Sequence, residues 1–242
     1  MANISSQSST TSFSPSRPAD SQALSSSYAG VAGATREVTT TFWLIRHAEV
    51  EEKYQNVFGG RIDMALSARG HQQASALAAY LHRKRFHSVY ASPMKRVQQT
   101  LDACRGNGLP HPAILPELRE VDFGDWTGLS WEEVERRFGI SPLTWLEQLE
   151  CDGIENAECT ASLRGRLEPV LREVLRKHAG QVVALFCHGG VIRMLLALLL
   201  DWPLPQLSAV EIDYASLTQV VWNGKRARVN LLNFSPWRDL SP

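Results

Sequence analysis

The sequence has few of the features that would build a cross-linked, metal-centred or membrane-embedded protein. It has four cysteines, Cys104, Cys151, Cys159 and Cys187, none at C-x-x-C spacing. That number in 242 residues fits neither a disulfide framework nor a zinc site, so reduced thiols in a cytoplasmic protein are expected. Net charge is also missing: 25 Lys and Arg balance 25 Asp and Glu. A neutral chain has no global attraction for nucleic acid or anionic membrane, so any anion site must be local. The longest apolar run, Met194 to Leu200, is seven residues, whereas a membrane span needs about 20.

Residues 1–38 lack aromatic and aliphatic bulk. They hold eleven serines and two prolines, too little apolar surface to offset the entropy of ordering, so a disordered tail is expected. The tail has no apolar stretch of secretory-signal type. Ser/Thr richness would suit an organellar transit peptide, but with only Arg17 and Arg36 a plain tail is favoured. Residues 39–242 are expected to form one folded domain.

Within that domain, periodicity switches between strand and helix. Thr40 to Ile45 reads as a buried strand and Ser67 as the N-cap of a helix running to about Arg85. His87 to Ala91 is a short strand, and Pro93 begins a helix to about Ala103 with proline in its first turn. A loop-rich stretch, 106–129, leads to helices near 130–138, 142–150 and 161–179. Gln181 to Cys187 is an apolar strand followed by a helix over 189–200. Residues 209–222 and 226–234 read as closing strands around Asn223-Gly224, a hairpin signal. Strands alternating with helices imply βαβ units, an α/β class and a mostly parallel sheet. The tryptophans Trp126, Trp131, Trp145 and Trp202 are expected to pack. His71, His82, His87, His111 and His178 are expected at the surface.

Ligands of such sheets bind beyond the carboxyl ends of strands. Arg46-His47 follows the first strand, Ser92 to Arg96 the second, and His188-Gly189-Gly190 the last apolar one. Three basic clusters should therefore meet at one edge. Leu118-Arg119-Glu120 adds a carboxylate from the loop region. Two arginines, two histidines and a carboxylate make a kit for phosphoryl transfer. A neutral imidazole is a competent nucleophile toward phosphorus. Forked guanidinium donors match phosphate oxygens. A dianion beside His188 would hold it protonated. A carboxyl group can give a proton to the leaving oxygen and take one from water.

These residues lie in ordered blocks: Leu44-Ile45-Arg46-His47-Ala48-Glu49; Gly60 through Gly70; Ser92-Pro93-x-x-Arg96-x-x-x-Thr100; Leu118-x-Glu120 with Gly124-x-Trp126-x-Gly128; and His188 through Arg193. The set resembles the histidine phosphatase superfamily, also called phosphoglycerate mutase-like, over residues about 40 to 200. The resemblance implies a three-layer α/β/α sandwich and phosphoryl transfer with neither metal nor cofactor. It implies His47 as the nucleophile that becomes phosphohistidine and Glu120 as acid and base. Arg46, Arg96 and His188 would bind phosphate, and Lys53, Gly60 and Gly189 would lie along the substrate. The partner would be a phosphorylated small molecule, with no nucleic acid and no membrane; the pattern sets no oligomeric state.

The sequence departs from the family pattern at Ala48 (usually Gly), Val50 (Thr or Ser), Lys53 (Asn) and Thr127 (often Glu). These changes bear on the substrate and not on the phosphate pocket. Glu120 and His188 are 68 positions apart, which looks like the compact phosphatase branch and not the mutases with their longer insertion. Glu49-Val50 and Gly60-x-x-Asp63-x-x-Leu66-Ser67 look similar to α-ribazole phosphatases. The alternatives are a cofactor-dependent phosphoglycerate mutase and a pseudo-enzyme that binds phosphorylated ligands without turnover.

Overall fold

The β-branched and aromatic run at the start of the domain forms β1 (Thr40–Arg46), and the Val-rich run forms β4 (Val182–Cys187). They pair in parallel in a six-stranded sheet of order β3-β2-β4-β1-β5-β6. The other strands are β2 (Ser88–Ala91), β3 (Ala113–Ile114), β5 (Leu217–Trp222) and β6 (Ala227–Phe234). β3, β2, β4 and β1 run parallel; β5 is antiparallel to β1 and forms a hairpin with β6. In this computed structural model residues 38–240 are described, apart from Asn107. The Ser-rich tail lies outside the described residues.

The described residues form seven α-helices: α1 (Ala68–Leu81), α2 (Lys95–Cys104), α3 (Trp131–Phe138), α4 (Trp145–Glu150), α5 (Thr160–Lys177), α6 (Gly189–Leu200) and α7 (Pro236–Asp239). Strand alternation assigns the layers. Phe42, Leu44, Val183 and Leu185 pack with Leu163 and Leu167 of α5 and Leu195 of α6. Trp43, Ile45, Ala184 and Phe186 point the other way, onto Leu77 of α1 and Leu101 of α2. Each large apolar side chain buried in this way contributes about 1.5–3 kcal/mol. The result is a mostly parallel sheet between two helical layers. No helix among the described residues is long and apolar enough to cross a membrane.

Ser67 caps α1 as expected, its hydroxyl accepting from the Gly70 amide. The helix stops at Leu81, not near Arg85. His82-Arg83-Lys84-Arg85 offers no apolar residue to bury, and the chain turns there to seat Phe86 and pair His87 with Val182. Pro93 lies one residue before the N-cap of α2, outside the first turn. The leading amide of α2, Lys95 N–H, is capped instead by Asp63 Oδ1 at 2.7 Å. Residues 142–150 divide into a 3-10 turn, Pro142–Thr144, and α4. The closing strand expected over 209–222 begins only at Leu217; before it Ala215 takes φ +52°, which breaks extended pairing. β3 is an additional short edge strand.

Candidate active site

β1, β4 and β2 are neighbours, so Arg46-His47, His188 and Ser92 leave the sheet at one edge. They open onto a cavity of about 530 Å³ whose wall includes Arg46, His47, Gly60, Arg96, Glu120 and Gly189. Six of the eight residues singled out from the sequence therefore share one wall. His188 is fully buried just behind it, its ring centroid 5.2 Å from that of His47. Lys53 is not on the wall; it is exposed, with its ammonium 4.9 Å over the Tyr54 ring.

His47 is 5% exposed. Its Nδ1 lies 2.8 Å from the Ala48 carbonyl, which can only accept, so Nδ1 carries the proton and Nε2 presents its lone pair. Burial, reinforced by the positive charges of Arg96 and Arg46, holds the imidazole well below its ordinary pKa. The ring is therefore neutral at pH 7 with its nucleophilic nitrogen fixed in direction. The Ala48 amide is tied to Thr100 Oγ1 at 2.9 Å, which anchors the turn after β1 to α2.

Arg96 Nε points at both rings, 3.2 Å from His47 Nε2 and 3.2 Å from His188 Nδ1. Its terminal nitrogens donate to the carbonyls of Ile62 (2.7 Å) and Gly60 (2.9 Å). Burial pushes this guanidinium down to about 10, still charged at neutral pH. Gly60 makes the Gly59-to-Met64 turn possible with φ +46°. A Cβ there would press within 3.2–3.3 Å of Thr127 Oγ1 and the Val121 carbonyl.

His188 receives Arg96 Nε at Nδ1, so its proton is on Nε2, 2.9 Å from Ser92 Oγ. Burial first, then Arg96, His47, Arg46 and Arg166, hold it well below its ordinary pKa. The protein's own groups thus keep His188 neutral; the charged form expected from the sequence would need a dianion to counter three arginines and burial. Cys187 beside it is a buried strand thiol, its pKa raised by desolvation.

Arg46 is fixed from outside the sequence blocks. Its Nη1 donates to the Ile212 carbonyl at 2.5 Å, and its guanidinium carbon lies 4.1 Å over the Tyr214 ring. Its Nε is buried with no partner, a desolvated donor beside Gly189. Glu120 is held by backbone donors: Oε1 accepts from the Val121 amide at 3.0 Å and Oε2 from the Gly190 amide at 3.3 Å. Gly190 allows that approach, since a Cβ on it would lie 2.7 Å from Glu120 Oε1.

Several site residues have no role assigned from sequence. Arg193, one turn into α6, lines the cavity and is pushed down to about 10 by burial. Its donors go to the carbonyls of Leu207, Gly189 and Val210. Tyr214, Ile212, Trp131, Leu143 and Trp145 also line it. Trp126 packs in the core as expected and Trp145 packs against that core while also lining the cavity, whereas Trp131 is exposed at the cavity. Of the other histidines, His178 is half-buried and bonded to the Tyr90 hydroxyl at 2.8 Å, while His71, His82, His87 and His111 are exposed. Among the described residues no group of three or more His, Cys, Asp or Glu side chains is arranged to hold a metal ion.

Residues 42–235 match the family model described as histidine phosphatase superfamily (branch 1), and the chain belongs to that family. It is 30% identical over 195 residues to phosphoserine phosphatase 1 of Hydrogenobacter thermophilus, covering 79% of this chain and 91% of that one. It is 26% identical over 191 residues to the adenosylcobalamin/alpha-ribazole phosphatase of Escherichia coli, covering 79% and 94%. The solved alpha-ribazole phosphatase of Shigella flexneri superposes with a TM-score of 0.69 at 27% identity, covering 81% of this chain and 96% of that one.

Proposed function

We propose that this chain is a phosphatase that hydrolyses phosphomonoesters of small metabolites through a phosphohistidine on His47. The observation that carries the reading is the pairing of the Nε2 lone pair of a buried, neutral His47, oriented by the Arg96 Nε–H at 3.2 Å, with the unpartnered, buried Nε–H of Arg46. One is a nucleophile and the other an anion donor with no protein acceptor. The relatives' names, phosphatases of phosphoserine and of α-ribazole, support the same class.

In this reading the phosphoryl oxygens are held by Arg46 and Arg96, with the leading end of α6 behind them. His47 Nε2 forms the N–P bond as the ester P–O bond breaks. Glu120, entering as the acid, gives its proton to the departing oxygen. The carboxylate then takes a proton from water as that water attacks phosphorus, the N–P bond breaks, and inorganic phosphate leaves. Donors fixed where negative charge gathers are the main source of rate.

The rim speaks to the leaving group. Trp131, Leu143, Trp145 and Tyr54 add apolar and aromatic surface to the cavity wall. That suits a phosphoester with a flat, apolar body better than the doubly charged head of an amino acid. Purified protein should release inorganic phosphate from aryl and nucleoside-type phosphomonoesters, in EDTA, with a higher kcat/KM than from phosphoserine. A second assay supplies 3-phosphoglycerate with a trace of 2,3-bisphosphoglycerate. Rapid formation of 2-phosphoglycerate with negligible free phosphate would replace the phosphatase reading with a mutase.

A further inference from the structure

We propose that Arg166, locked in place by Glu158, is a positioning residue that sets the orientation of Glu120 for proton transfer. The proposal rests on the reading of Glu120 as the proton donor. Arg166 lies on α5, outside the cavity wall. Its guanidinium forks onto Glu158, Nε to Oε1 at 2.6 Å and Nη2 to Oε2 at 2.8 Å. Its remaining donors all go to one short run of backbone. Nη1 bonds the carbonyls of Glu117 and Arg119, the latter at 2.8 Å, and Nη2 reaches that of Glu120 at 3.4 Å. Five bonds thus match the five N–H groups that an arginine carries.

The partner is fixed as firmly. The Glu158 amide donates to the Asp122 carbonyl at 2.9 Å, and Glu158 Oε2 lies 3.5 Å from the Asp122 amide. The two side chains are nearly out of solvent, 17% exposed for Arg166 and 6% for Glu158. The clamp therefore grips the chain at 117, 119 and 120 on one side of the Glu120 side chain and at 122 on the other. Such a pair is unremarkable as a source of stability, because desolvation offsets much of its attraction. Its geometry is specific for orientation: the three donor bonds not spent on Glu158 all serve the loop that presents the carboxylate to the amide of Gly190. The charge is also felt in the pocket, where Arg166 adds to the groups that keep His188 neutral.

A proton donor matters most when the leaving group is a poor one, which separates positioning of Glu120 from general scaffolding. The test measures kcat and KM for an alkyl phosphate and for p-nitrophenyl phosphate. The variants are Arg166→Lys, Glu158→Gln, Glu120→Gln and each clamp variant combined with Glu120→Gln. Lysine keeps the charge but not the fork. The single clamp variants should lose roughly tenfold or more in kcat on the alkyl ester, a fraction of full general-acid catalysis, and much less on the aryl ester. In the Glu120→Gln background the clamp changes should add less than about twofold, since coupled residues are non-additive. Equal losses on both esters, or full additivity with Glu120→Gln, would overturn the proposal and leave the role of Glu120 standing. Equal slowing of both esters by Glu120→Gln itself would remove the underlying reading together with the proposal. Should Arg166→Lys fail to fold, Glu158→Gln decides on the same criteria.

Discussion

The floor and the rim of the cavity are built on different principles. The floor consists of Arg46, His47, Arg96 and His188, which follow strand ends or ride the first turn of α2. His47, Arg96 and His188 are at most 5% exposed, and each has its ring or fork fixed by at least two named contacts. The rim comes from short helices and turns between 131 and 145 and from the irregular stretch 208–214. There Trp131 is 44% and Leu143 71% exposed. A charge-handling floor must be rigid, because removing a buried arginine or imidazole from alignment leaves polar groups desolvated and unpaired. A rim that meets only the non-reacting part of a substrate needs surface and shape. The contrast predicts that floor substitutions change kcat by orders of magnitude and rim substitutions change KM by small factors.

The largest effect should come from His47→Ala. Loss of the nucleophile should lower kcat by at least about 10⁴-fold, as for other covalent catalysts. It should also abolish the acid-labile, base-stable phosphoryl label trapped after rapid quench with a radiolabelled ester. A label that persists on histidine in this variant would move the nucleophile elsewhere. Arg46→Ala or Arg96→Ala should each lose about 10²–10³-fold, the scale of one oxyanion donor, and lysine should restore only part. The loss should be alike for all esters; strong dependence on the ester would shift that arginine from floor to rim.

Gly190→Ala tests the floor where a backbone makes room for a side chain. The added Cβ would lie 2.7 Å from both Glu120 Oε1 and Val121 Cγ2, and the end of a side chain yields more readily than backbone. The carboxylate should swing away, with a loss of about 10²-fold on poor leaving groups and a much smaller loss on p-nitrophenyl phosphate. Melting at neutral pH should change little. Equal loss on both esters would mean that α6 itself has moved.

The floor also sets a pH response. Burial and arginine charge depress the pKa of both His47 and His188 in the folded state. Below about 6.5 the unfolded chain therefore binds protons that the folded chain refuses. The stability contributed by these neutral rings is present above that value and is lost as pH falls below it. Thermal melts from pH 8 to pH 5 should show a decline that is weaker in His188→Gln. An unchanged slope in that variant would assign the decline to other groups.

The same contrast explains what the sequence disclosed. A parallel sheet delivers the ends of its strands to one edge, so short local blocks sufficed to bring Arg46, His47, Arg96 and His188 together. Glu120 was readable from its block, and Gly190 was half-readable: the Gly-Gly pair marks the leading end of α6, but the need for a bare Cα comes from the Glu120 carboxylate seated against it. The Ile212 carbonyl under Arg46, the Tyr214 ring over it and the Glu158–Arg166 clamp are contacts between distant, irregular segments. No periodicity encodes them. The expected strand over 209–216 failed for the same reason, since tertiary bonds to Arg46 and Arg193 hold that stretch out of the sheet. Lys53, read by its position in a motif, turns out exposed and off the wall, because the 3-10 turn Glu52–Tyr54 directs Tyr54 inward instead.

The smallest effect, and the one that sharpens the comparison most, belongs to the rim. Leu143 and Trp131 are large, apolar and exposed, and they share the cavity mouth with Pro142. A single exposed apolar residue is ordinary, but a cluster rimming a polar cavity marks a binding surface. If it receives the body of the ester, its contacts exist equally in the ground state and the transition state. Losing them should raise KM and leave kcat alone. Leu143→Ala should raise KM for 1-naphthyl phosphate by about three- to tenfold, the range for removing part of an apolar contact. For glycerol 3-phosphate, whose small polar body cannot span to the rim, KM should stay within about twofold. Melting should hardly move, since Leu143 is 71% exposed and leaves no core cavity behind. A fall in kcat on both esters would show that the rim takes part in closing the site during chemistry, and the division between floor and rim would fail.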